Sequence, residues 1–162
     1  MSAPTTAAQQ GLGAALRKLH RTYIRRLQAQ LAEHGLSVAQ YLHLRALWEE
    51  AGLTQNEVSA RLGIEKASST AVLEALERDG LINRVRDARD RRNVRVYLSD
   101  AGENLRGTVM PFAQQVATQA SHGLTEADLD AFFRTIDWML SNLLAVEKDA
   151  EKGRLGPGTR SY

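Results

Sequence analysis

From Val94 to Leu98 the aliphatic residues recur at every second position, and the arm from Ile82 to Asp87 pairs with it, in a chain whose apolar residues elsewhere recur every third or fourth. Period two belongs to strands and the three-four step to helices. One short β element is therefore set into an otherwise helical chain. On its first arm Ile82, Arg84 and Arg86 point one way and Asn83, Val85 and Asp87 the other. On its second arm Val94, Val96 and Leu98 alternate with Asn93, Arg95 and Tyr97. A polar loop from Asp87 to Asn93 joins the arms, which makes the stretch a β-hairpin. The same stretch holds six arginines between Arg84 and Arg95 against two acids, Asp87 and Asp90, while the whole chain has a net charge of only +2. The remainder is thus net negative. The positive field is concentrated, as a nucleic-acid footprint requires.

The helical segments carry their own punctuation. Leu12, Leu16, Leu19, Tyr23, Leu27 and Leu31 form one stripe on a long first helix that ends near Gly35. The capping box "SVAQ", Ser37 to Gln40, opens a second helix that turns Tyr41, Leu44, Leu47 and Trp48 inward and stops at Gly52. A second box, "TQNE" from Thr54 to Glu57, opens a third helix ending at Gly63. The fourth runs from about Glu65 to Asp79, with Ser69, Val72, Leu73 and Leu76 on its inner face and Gly80 after it. Ser99 begins a fifth helix reaching towards His122, which Pro111 is expected to kink or restart. The cap "TEAD", Thr125 to Asp128, opens a sixth that presents Leu129, Phe132, Phe133, Ile136, Met139, Leu140, Leu143 and Leu144. The Gly-rich end "KGRLGPGTRSY" is read as unstructured.

Several function classes lose their chemistry at this stage. With no cysteine there is no disulfide, thiolate zinc site or cysteine-based sensor. The four histidines, His20, His34, His43 and His122, lack the close spacing of a metal site. Neither a Gly-x-Ser-x-Gly elbow nor a Gly-x-Gly-x-x-Gly loop is present. No enzyme, cofactor or metal is expected. No apolar run reaches the roughly 20 residues that span a bilayer, and the start "MSAPTTAAQQ" lacks the order of a signal peptide. A cytoplasmic protein is expected.

Two short helices joined by a tight turn, a basic hairpin and flanking long helices make a winged helix-turn-helix, mainly α with a small β-wing. The blocks "GLSVAQYLHLRAL", "LTQNEVSARLGI", "LEALERDGLINRV" and "DARDRRNVRVYLSDAG" resemble the MarR family of bacterial transcriptional regulators. The resemblance extends over roughly Leu12 to Leu144, and "DRR" in the wing with "LSDAG" after it is its most specific part. It implies one domain over residues 1–162, with 6–35 and 100–150 as dimerisation helices, 36–99 as the winged helix and 151–162 as a flexible tail. It further implies a homodimeric DNA-binding regulator, a repressor of neighbouring genes, released from a pseudo-palindromic double-stranded operator by a small aromatic or phenolic acid. The alternatives are a winged helix used for protein contacts and a regulator with no small-molecule effector.

The resemblance places Arg92, braced by Asp90, in the minor groove, where a narrow groove focuses negative potential on a guanidinium. Arg84, Arg86, Arg89, Arg91 and Arg95 then fall to phosphates or strand surface. On the fourth helix the wheel puts Ala67, Thr70, Ala71, Glu74 and Arg78 outward. The candidate DNA contacts there are Lys66, Ser68, Ser69, Thr70, Ala71, Glu74 and Arg78. Family members often carry a basic residue where Ala71 stands and an apolar one where Ser69 stands. Thr54 and Gln55, at a helix N-terminus, are candidate phosphate contacts. For the effector the candidates are His20, Tyr23, Tyr41, His43 and Trp48, with Arg17, Arg21 and Arg45 as possible neutralising charges.

Overall fold

The computed structural model describes residues 7–87 and 93–154. Arg89, Asp90, Arg91 and Arg92 lie outside the described residues. Among the described residues six helices and two strands follow in the order α1 (Ala7–Ala32), α2 (Val38–Glu49), α3 (Gln55–Leu62), α4 (Lys66–Arg78), β1 (Ile82–Arg86), β2 (Val94–Leu98), α5 (Asp100–Ala120) and α6 (Glu126–Arg154). They form two compact units, one running through Ala120 and one from Ser121 onward. No described helix is long and apolar enough to cross a membrane.

The three capping boxes close as their sequences require. Ser37 Oγ accepts from the Gln40 N–H while Gln40 Oε1 takes the Ser37 N–H. Thr54 and Glu57 do the same for α3, and Thr125 and Asp128 for α6. The hydrogen bonds from Thr54 hold the Glu57 carboxyl below its usual range. Gly63, at φ 64°, ends α3 in the left-handed conformation that lets the chain turn sharply into α4.

The core of the first unit gathers one face from each element. Leu31, Tyr41, Leu44, Leu47, Val58, Leu73, Leu76, Ile82, Val96 and Val109 are almost wholly covered. The strands pair antiparallel with Ile82 opposite Leu98 and Arg86 opposite Val94, so the alternation read in the sequence sets the register. A third edge was not foreseen: Val96 N–H donates to Leu53 O at 2.8 Å, and Thr54 bridges Arg95. The wing is thereby tied to the start of α3.

Two expectations for the helices need correction. Pro111 does not restart the helix: α5 is helical from Asp100 to Ala120 with Pro111 inside it. The C-terminal helix continues through Glu151–Arg154, which the sequence reading gave to the tail. The run Glu147 to Lys152 is rich in good helix formers, and these outweigh Gly153. Taken by itself, α6 leaves Phe132, Phe133, Leu140, Leu143 and Leu144 between 43% and 64% exposed.

The motif "LSDAG" has a structural reason. Ser99 Oγ donates to Gly80 O at 2.7 Å and accepts the Gly102 N–H at 3.1 Å, so it caps α5 while holding the end of α4. A Cβ at Gly102 would overlap the Leu81 carbonyl oxygen, and Gly102 O accepts the Trp48 indole N–H at 3.0 Å. Backbone meets backbone here with no room for a methyl. Gly102→Ala is expected to destabilise the fold by about 1–3 kcal/mol through overpacking, read as a lowered midpoint in urea unfolding. An unchanged midpoint would refute the close approach.

Candidate nucleic-acid interface and cleft

The turn between α3 and α4 sets α4 as the exposed second helix of a helix-turn-helix. Its inner face, Ser69, Leu73 and Leu76, is buried. Lys66, Ala67, Ser68, Ala71, Glu74 and Arg78 are exposed, and Thr70 is half-buried with its hydroxyl donated to Lys66 O at 2.8 Å. Thr54, Gln55, Lys66 and Thr70 come together with Asn56 and Val94 around a recess of about 170 Å³ between the start of α3, the first turn of α4 and the wing. Four predicted contacts thus meet in one place. Asn56 was missed, although its position in the first turn of α3 was a usable signal.

Other predicted contacts are occupied within the protein. Ser69 is 1% exposed, inside the fold rather than on the outer face of α4. Arg84 donates through Nε to Glu77 Oε2 at 2.8 Å and lies 3.7 Å from Glu74 Oε1, so it ties β1 to α4. That pairing holds the Glu77 carboxyl below its usual range. Glu74 is likewise engaged by Arg84 instead of standing alone. Arg95 bonds Asp87 Oδ2 at 2.6 Å and Gly52 O at 2.8 Å, fixing the base of the wing against the α2–α3 turn. Arg86 is exposed on the strand surface.

A cleft of about 860 Å³ opens between α1, α2 and α5, a volume that suits a small ligand. Tyr23, Tyr41 and Arg45 line one side, and Arg106, Gly107, Met110 and Pro111 are among the α5 residues on the other. Tyr41 Oη donates towards Met110 Sδ at 3.7 Å. Burial pushes its phenol above the usual range, while the Arg45 charge beside it pulls the other way. Arg45 also pairs with Glu49 at 3.1 Å, both half-exposed. Among the described residues no cluster of three or more His, Asp or Glu is placed to hold a metal.

Of the five predicted effector residues the cleft receives Tyr23 and Tyr41. His20 lies apart, exposed on α1 beside Arg17, Lys18 and Arg21. Trp48 is buried, with its indole on Gly102. His43 is 1% exposed and sits between α2 and α4. Its Nδ1 faces Ala39 O at 2.7 Å, and since a carbonyl only accepts, Nδ1 carries the proton. Nε2 then accepts from Ser69 Oγ at 3.1 Å. The pair is a buried link from α2 to the helix exposed for recognition.

Comparison with known proteins fits this geometry. Residues 36–94 match the family model described as "MarR family". The regulator TtmR of Methylorubrum extorquens is 41% identical over 83 residues, which cover 51% of this chain and 43% of that protein. The match therefore spans less than half of that relative's length. Over residues 36–94 the chain is similar to the MarR family. TtmR is described as an HTH-type transcriptional regulator. Among solved structures, Bordetella bronchiseptica BpsR, whose DNA binding is regulated by 6-hydroxynicotinic acid, is 27% identical with a TM-score of 0.73, over 79% of this chain and 97% of that one. Staphylococcus aureus MepR, solved with DNA, has the same fold at 22% identity and a TM-score of 0.73, over 85% of this chain and 96% of that one.

The buried His43 carries a pH prediction. Burial holds it below its ordinary 6.5, outweighing the Ala39 bond. Its folded pKa is lower than its unfolded one, so the unfolded chain binds more protons and stability falls as pH drops below about 6.5. Unfolding midpoints of the native chain should decline between pH 7 and 5.5, and His43→Gln should flatten the decline. Equal slopes in the two proteins would rule His43 out as its source.

Proposed function

We propose that this chain is a MarR-type regulator, a homodimeric repressor acting in the cytoplasm on genes beside its own, whose hold on a pseudo-palindromic operator weakens when a small aromatic or phenolic acid enters the cleft. One observation carries the reading. On α2, Tyr41 and Arg45 face the cleft while His43 holds Ser69 on α4. A ligand that draws Arg45 or Tyr41 inward shifts the helix against which α4 is seated. The regulation of BpsR by a hydroxylated aromatic acid supports the ligand class.

Homodimer formation rests on the uncovered apolar face of α6, which a second copy would bury. Segments 6–35 and 100–150 serve as dimerisation helices in this reading, and 36–99 as the DNA-binding winged helix. Thr54, Gln55 and Lys66 bind phosphate around their shared recess, and Ala67, Ser68, Thr70 and Ala71 present a small-side-chain surface to the major groove. With Arg84 and Arg95 engaged internally, Arg86 and the loop arginines Arg89, Arg91 and Arg92 supply the remaining wing charge, with Asp90 bracing Arg92. Arg78 lies at the far end of α4 as a backbone contact.

The test is fluorescence anisotropy with duplex DNA from upstream of the protein's own gene, measured across salt concentrations. Affinity should fall linearly with the logarithm of salt. Arg92→Ala should cost roughly 1–3 kcal/mol without changing the sedimentation coefficient. Arg45→Gln should leave DNA binding intact and blunt release by an aromatic acid. Absence of any binding at low salt sinks the repressor reading, and an unaltered acid response in Arg45→Gln removes Arg45 from the effector site.

A further inference from the structure

We infer that the main-chain carbonyl of Gly107 is a ligand-binding acceptor in the cleft, and that the cleft selects aromatic acids bearing a hydrogen-bond donor as well as a carboxylate. The inference rests on the reading of the cleft as the effector site.

In an α-helix each carbonyl accepts from the N–H four residues on. For Gly107 that residue is Pro111, which has no N–H. Because α5 is continuous from Asp100 to Ala120, no helix end lies nearby to account for the missing donor. Both residues line the cleft. Glycine can line a cavity only with main-chain atoms, so the cleft wall at Gly107 is backbone. A Cβ built there meets nothing within 4 Å, so the space beside that backbone is open. Two of the poorest helix formers are therefore placed one turn apart at the point where α5 borders the cleft.

The consequence is chemical. Arg45, Arg106 and the phenols of Tyr23 and Tyr41 can all donate, and they suit a carboxylate. The Gly107 carbonyl can only accept. An acid without a donor covers it and leaves it unpaired, which costs the desolvation of that group. An acid with a hydroxyl or ring N–H in reach satisfies it.

Matched acids test this: benzoate against 4-hydroxybenzoate, and nicotinate against 6-hydroxynicotinate, titrated calorimetrically into the full chain and into Pro111→Ala. The substitution restores the N–H that closes the helical bond to Gly107, and it removes a helix-breaking residue, so folding should be retained. In the native protein at least one hydroxylated acid should bind roughly three- to ten-fold tighter than its parent. In Pro111→Ala the ratio of hydroxylated to parent affinity should fall to about one, whatever the lost ring does to both acids alike. If both parents also lose affinity in the variant, the Gly107 carbonyl ¹³C resonance of the native protein decides. It should move with the hydroxylated acid and stay with the parent. A preference that survives in Pro111→Ala, no preference in the native chain, or an unmoved Gly107 resonance overturns the inference alone. Failure of all four acids to bind overturns the effector reading and the inference together.

Discussion

Helix α2 has two faces in use, and helical geometry decides which residue serves which. Tyr41 and Arg45 stand about one turn apart and so share a face. His43, two residues from each, is rotated about 200° away and meets Ser69 of α4. The cleft and the helix exposed for recognition are therefore built on opposite sides of the same twelve-residue helix. Anything that moves α2 on one side acts on a buried polar pair on the other. That pair tolerates little misplacement, because a histidine nitrogen and a hydroxyl separated without water in reach lose the bond outright.

Not all of the charge in the wing faces outward. The sequence reading gave Arg84 and Arg95 to phosphates or strand surface. Arg84 instead joins β1 to α4 through Glu77 and Glu74, and Arg95 joins β2 to Asp87 and Gly52. These bonds, with the Leu53–Val96 contact, fix the wing relative to the helix-turn-helix. The donors of both arginines are directed inward. On α4 the exposed Ala67, Ser68 and Ala71 are small, which allows close approach of backbone to a groove more readily than it allows bidentate base reading.

Much of the fold was legible because its signals are local. Three capping boxes, the turn glycines and the period-two hairpin each set a boundary without reference to the rest of the chain. The edge bridge at Leu53–Thr54 was not legible, since a lone bridge has no period. Pro111 was a poor signal of a helix restart because the rule for proline concerns an isolated helix, whereas α5 is packed along α1 and α2. At the cleft, Tyr23 and Tyr41 were found from the apolar stripe and the aromatic content. His43 was misplaced by chemistry overriding geometry: a titratable ring was weighed above its angle on the helix. Four-residue spacing from Tyr41 pointed to Arg45 all along. Arg106 and Gly107 needed the structure, because only packing of α5 against α1 and α2 brings them opposite the tyrosines. The wing-tip roles of Arg92 and Asp90 rest on resemblance and belong to the proposal.

The central claim is that cleft and recognition helix are coupled through α2, and coupling between two sites is reciprocal. Calorimetric titration of 6-hydroxynicotinate into the free protein and into the protein saturated with its promoter duplex measures it directly. The account predicts weaker binding to the DNA complex, by a factor within roughly 5–150 that equals the loss of DNA affinity the acid causes. Equal affinity for the acid in the free and DNA-bound protein would contradict it.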